Sequence, residues 1–168
     1  MTDIFANEQI IEGEMKKVTL SDAEINKYKL LEGDLLFARR SLVPEGSGKC
    51  CYVGEIKTCI TFESSIIRVS LKKDILHPKF VYFYISSFIG RREMMKYVRQ
   101  VAVSGISGQD LQKYNLPVPP LPEQNQIAVI LSAVDDKLDI LQSKKFSYET
   151  LKKGLMEQLL TGKRRVKV

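Results

Sequence analysis

Leu116–Gly162, LPVPPLPEQNQIAVILSAVDDKLDILQSKKFSYETLKKGLMEQLLTG, decides how this chain is built. It opens on Pro117, Pro119, Pro120 and Pro122. Proline fixes φ and has no donor, so residues 117–122 are expected to form an extended strap. Behind it the only interruption before Gly162 is Gly154. A helix is therefore predicted over residues 123–162. Glu123 suits its positive end, Gly162 its stop, and the cations of the basic tail, residues 163–168, its negative end.

Ile127, Leu131, Val134, Leu138 and Leu141 step by four and three along that helix, and Tyr148, Leu151, Leu155 and Leu159 continue the stripe. A repeat of about 3.5 residues kept this long predicts a seam with a second helix, from a partner or a second copy. At about 1.5 Å per residue the helix would run roughly 60 Å, more than the width of a domain this size. The competing reading is an ordinary bundle helix, because the heptads slip near Gly154.

Working outward, 168 residues with 44% apolar content support one domain plus an appendage, or one compact domain. No apolar run reaches membrane-spanning length and MTDIFANEQ lacks a signal-peptide pattern, so a cytoplasmic protein with no membrane partner is expected. Cys50, Cys51 and Cys59 are read as reduced, adjacency being poor geometry for a Cys50–Cys51 bridge. The single histidine, His77, precedes Pro78 and is read as a turn or cap residue.

Charge is unevenly spread. Residues 1–37 carry a net −4, residues 38–116 a net +7 and the remainder a net +3. A basic middle favours a polyanion, of which nucleic acid is the commonest, against the alternative of scattered surface charge.

In chain order, residues 1–20 are read as one or two strands. Ser21-Asp-Ala-Glu24 has capping-box spacing and predicts a helix from Asp22 to Tyr28. Gly33-Asp34 reads as a turn; Leu35–Phe37, Cys50–Val53, Ile56–Phe62 and Ser65–Ser70 read as strands. Ser41–Lys49, SLVPEGSGK, is a polar loop whose amides can approach phosphate, flanked by Arg39, Arg40 and Lys49; any hairpin would use the same glycines. Pro78 starts a helix in which Phe80, Phe83, Tyr84 and Phe88 form an aromatic stripe, read as core. Arg91, Arg92, Lys96 and Arg99 follow about one turn apart, a cationic ridge for a phosphate backbone or a solvated face. In VAVSGISGQ, residues 101–109, Ser104, Ser107 and Gln109 join Ser41 and Ser47 as candidates for base edges, the alternative being a plain loop. Asp110–Tyr114 is a short turn.

Catalytic patterns fail: no Asn/Asp-Pro-Pro-aromatic run, no G-x-G-x-x-G, no nucleophile elbow, no zinc spacing, and the P-loop pattern breaks at Cys50. Glu45, Glu55 and Lys57 imitate an acidic–acidic–lysine nuclease set, a match that comes cheaply in a chain rich in Glu and Lys.

Three phrases together resemble the specificity (S) subunit of type I restriction–modification enzymes: LLEGDLLFARR (Leu30–Arg40), GISGQDLQKYNLPVPPLPEQNQ (Gly105–Gln126) and KKGLMEQLLTG (Lys152–Gly162). The resemblance covers most of the chain from about residue 20. It implies an α+β fold, a β-rich target recognition domain over residues 1–116 that reads half of a bipartite DNA sequence. The long helix would pair antiparallel with a counterpart as a ruler between half-sites. It would also dock methyltransferase subunits, which bind S-adenosylmethionine, and through them the restriction subunit. The chain itself would be non-catalytic and hold no cofactor. Departures are one recognition domain and one helix where the family has two of each, and no family-type strand and Gly-Thr-Pro-like loop ahead of about Ile10. A half-subunit, a C-terminal fragment or a remnant is expected. Two copies would mimic a whole subunit by twofold pairing. The alternative is a protein-interaction module whose degenerate recognition domain binds no DNA.

Overall fold

The computed structural model describes residues 10, 16–100 and 103–166. The strands expected in residues 1–20 fall mostly outside these, and residues 16–20 carry no strand. The chain divides into two units, one ending at Ala128 and one beginning at Val129.

The first unit is mixed α/β. Helix α1, Asp22–Tyr28, forms where the capping box predicts: the Glu24 amide donates to the Ser21 hydroxyl, and the Ser21 amide donates to the Glu24 carboxylate at 2.9 Å. Strands β1 (Leu35–Ala38), β3 (Cys50–Tyr52) and β4 (Ile66–Val69) form an antiparallel sheet with β1 central. Leu36 lies opposite Cys51 on one side and Arg68 on the other.

Every residue of β1 is buried, which an unbroken apolar run requires when both sheet faces are covered. The period of two sends alternate side chains to different clusters. Leu35, Phe37, Cys50 and Tyr52 pack with Phe80, Val81, Tyr82, Ile85 and Met94. Leu36, Cys51 and Val53 pack with Ile10, Leu30, Ile60 and Ile66. The adjacent cysteines thus belong to opposite faces, and all three cysteines are free thiols. Each large side chain so buried stabilises the fold by about 1.5–3 kcal/mol.

A second antiparallel ribbon pairs β2 (Arg40–Ser41) with β5 (Ser104–Gly105). A 3₁₀ turn, Pro44–Gly46, lies between β2 and β3. The expected strand Ile56–Phe62 is absent. Irregular chain runs there, held where the Leu30 amide donates to the Ile60 carbonyl at 2.9 Å and where Ile60 is buried.

The predicted helix after Pro78 is two helices, α2 (Pro78–Ser86) and α3 (Phe88–Met95). His77 caps α2, its Nδ1 accepting from the Phe80 amide at 3.4 Å. Ser87 ends α2 and starts α3: its amide donates to the Phe83 carbonyl, and its hydroxyl accepts from the Gly90 amide at 3.1 Å. The break turns Phe88 outward, 79% exposed, so this ring does not join the aromatic core as its spacing suggested. A short helix α4, Gly108–Leu111, stands where a turn was expected near Asp110.

Helix α5 spans Leu121–Leu160, beginning and ending two residues before the predicted limits. Pro122 therefore sits in its first turn, where a missing amide costs nothing, and the strap is shorter than expected. Gly162 adopts φ +73° and its amide donates to the Leu159 carbonyl at 3.3 Å, a left-handed stop. Gln124, 0% exposed, pins the start. Its Nε2 donates to the carbonyls of Ile75 (3.0 Å) and Pro119 (2.8 Å), and its Oε1 accepts from the His77 amide at 2.8 Å.

In the second unit, Leu131, Val134, Leu138, Leu141, Tyr148, Leu151, Leu155 and Leu159 are all exposed, as are Ile140, Phe146 and Met156. Ile127, placed at the head of this stripe by its spacing, differs: it packs against the core of the first unit, beside buried Ala128. No described helix is long and apolar enough to cross a membrane.

Candidate nucleic-acid interface

The ribbon of β2 and β5 joins two regions that sequence separates by some sixty residues. Arg40 lies opposite Gly105 and Ser41 opposite Ser104. The Ile106 amide donates to the Arg39 carbonyl at 3.0 Å, and Arg99 exchanges backbone hydrogen bonds with Gly105. Arg39, Arg40 and Arg99 therefore gather on one small piece of structure, with exposed side chains.

Not every cation is directed at solvent. The guanidinium of Arg91 reaches across to the loop after β2 and donates to three carbonyls: Gly48 (2.7 Å), Glu45 (2.7 Å) and Ser47 (3.3 Å). Burial lowers its pKa from the ordinary arginine value. Lys96 pairs with Glu93, and Arg92 stands 5.9 Å from the centre of the Phe88 ring. Arg99 lies past the end of α3 and pairs with Asp110 at 3.4 Å. The four cations expected on one helix face are thus divided among a loop clamp, a ring contact on α3, an ion pair from its C-cap and a contact beyond the helix.

The polar candidates divide as well. Gln109 is exposed and Ser107 half-buried, its hydroxyl capping α4 by accepting from the Asp110 amide at 3.2 Å. The Ser107 hydroxyl, the strongest influence, and its amide hold the Asp110 carboxyl below the usual carboxylate value, with help from Arg99. Ser41 accepts from the Val43 amide at 3.2 Å. Ser47 and Ser104 are buried, so neither hydroxyl reaches a base edge in this arrangement. Gly48, the residue after Ser47, takes φ +67° and packs beside Met94. The Ser47 hydroxyl has no hydrogen-bond partner.

Two apolar side chains also point outward from the loop, beside the exposed Glu45: Leu42 is 86% exposed and Val43 55%. Sequence reading passed over both, although two branched residues inside a polar loop were the available signal. Lys49 is exposed at the far end of the same loop. Glu45 and Glu55 are exposed, and no described group of three or more His, Cys, Asp or Glu residues is placed to hold a metal ion.

Residues 3–147 match the family described as the type I restriction modification DNA specificity domain. The chain belongs to that family. The specificity domain is similar to the type I restriction enzyme EcoKI specificity subunit of Escherichia coli K12, 31% identical over 69% of this chain and 25% of the relative. It is 34% identical to a putative type I restriction enzyme MjaX specificity subunit of Methanocaldococcus jannaschii, over 68% of this chain and 26% of the relative. The MjaVIII specificity subunit of the same organism is 27% identical over 88% of this chain and 36% of the relative. This specificity domain thus spans between a quarter and about a third of the length of these relatives.

Proposed function

We propose that this specificity domain is a non-catalytic DNA-reading module of a type I restriction–modification system. The first unit reads one half of a bipartite duplex target. The exposed stripe of α5 pairs with a counterpart helix, antiparallel, from a second recognition half or a second copy. The pair spaces the half-sites and docks methyltransferase subunits that bind S-adenosylmethionine, and through them the restriction subunit. Family membership over residues 3–147 carries the reading. The cations Arg39, Arg40 and Arg99 beside the β2–β5 ribbon, with Arg92, Lys96 and Lys49 also exposed, supply phosphate contacts. Gln109 is the exposed polar candidate for a base edge.

A second reading keeps the helix as a docking element and leaves the recognition domain inert on DNA. Its specific support is the inward use of Arg91 and the burial of Ser47 and Ser104. A gel shift on random duplex, with the chain alone and with its methyltransferase partner, separates the two. Salt-sensitive binding in either state supports DNA reading. A complex with the methyltransferase that never shifts DNA supports the second.

A further inference from the structure

The loop from Ser41 to Lys49 is built to hold an apolar tip. The Ala38 amide donates to the Lys49 carbonyl at 2.9 Å and the Gly48 amide to the Ala38 carbonyl at 2.8 Å, closing the loop at its base. The Ser41 hydroxyl and the Gly46 amide, which donates to the Val43 carbonyl at 3.1 Å, shape the turn around Val43. Arg91 ties down the stretch Glu45–Gly48 from α3. Within this frame Leu42 has the largest exposure of any large apolar side chain described, and its sequence neighbour Val43 is 55% exposed.

A single exposed leucine is ordinary. Here two consecutive branched side chains stand outward on a braced loop while its two inner hydroxyls, Ser41 and Ser47, are turned to the loop's own backbone or buried. Arg39 and Arg40 precede the tip and Lys49 follows it, all exposed, three cations against the one exposed carboxylate of the loop, Glu45. That charge suits a phosphate-lined surface. An apolar contact available within such a surface is the thymine C5-methyl group in the major groove.

We propose that Leu42 determines base preference by packing on a thymine methyl group, with Val43 beside it, so that this loop reads sequence by apolar contact and not through its serines. The proposal deepens the DNA-reading function and rests on it. Leu42 makes no contribution to the core, so its removal leaves folding unchanged.

The test is selection from a randomised duplex library by the full chain with its methyltransferase partner, in wild-type form and as Leu42→Ala. The wild type should enrich a motif containing thymine. Leu42→Ala should lose preference at one thymine position by about fourfold, the worth of one methyl-sized apolar contact, with an unchanged salt slope. Replacing that thymine by deoxyuridine should weaken the wild type by a similar factor and leave Leu42→Ala unaffected. Identical motifs from both proteins, or a wild-type motif without thymine, overturn the proposal while DNA reading stands. No enrichment by the wild type overturns both. If Leu42→Asp instead separates the chain from the methyltransferase, the tip is a protein contact and the proposal falls.

Discussion

Arg91 illustrates how one side chain's partners decide its role. A basic residue on a short helix reads as a phosphate ligand, yet its forked guanidinium meets three loop carbonyls. Hydrogen bonds from a charged donor contribute about 1.5–3 kcal/mol where they are shielded, less where solvent reaches them. Arg91→Ala should therefore destabilise the domain by about 2–3 kcal/mol, and Arg91→Lys should restore only part, because a point charge cannot span three acceptors. Urea denaturation measures this; an unmoved midpoint would contradict the clamp. Asp110 makes a pH prediction. Its carboxyl stays ionised to lower pH in the folded chain than in the unfolded one, held first by Ser107. The stability it adds is present above the unfolded pKa of about 3.9 and is lost as pH falls through and below that value. Asp110→Asn should flatten the acid side of a stability–pH curve, read as denaturation midpoints between about pH 6 and 2.

At the level of elements, α1 and the stop of α5 were legible because local chemistry sets them: Ser21 with Glu24, and Gly162 with its positive φ. The division of α2 from α3 was not, since a serine between two apolar stretches shows no sign that it will cap in both directions. Nor was the irregular run Ile56–Phe62, whose apolar residues suit a strand equally well. The stripe on α5 has the helical spacing expected and is exposed from Leu131 onward. Its pairing is a proposal with a direct check. Leu131→Asp with Leu138→Asp would place two carboxylates in an apolar seam, which is costly without partners. Light scattering should then give the mass of a single chain where the unaltered protein gives an assembly. Equal masses would rule out the seam.

For the molecule as a whole, the net charge of +6 is modest, and its placement matters more. Arg39 and Arg40 sit together beside the β2–β5 ribbon. If both neutralise phosphates, replacing them by alanine should lower the slope of log affinity against log salt by about two, across unrelated sequences alike. A slope that does not change would place the DNA elsewhere.

What the amino-acid order settled alone was local or periodic: the Ser21–Glu24 capping box, the Gly162 stop, the buried strand read over Leu35–Phe37, the apolar stripe and the family phrases. Such signals arise between residues a few positions apart, so they survive without knowledge of the fold. Tertiary structure decided which charges and hydroxyls remain outward. Arg91 turned to a loop more than forty residues earlier, Ser47 and Ser104 went under, Ile127 joined the core, and Leu42 was left at the surface. Each outcome depends on which distant backbone groups need a partner and which apolar surface lies nearby, and only the assembled chain specifies those.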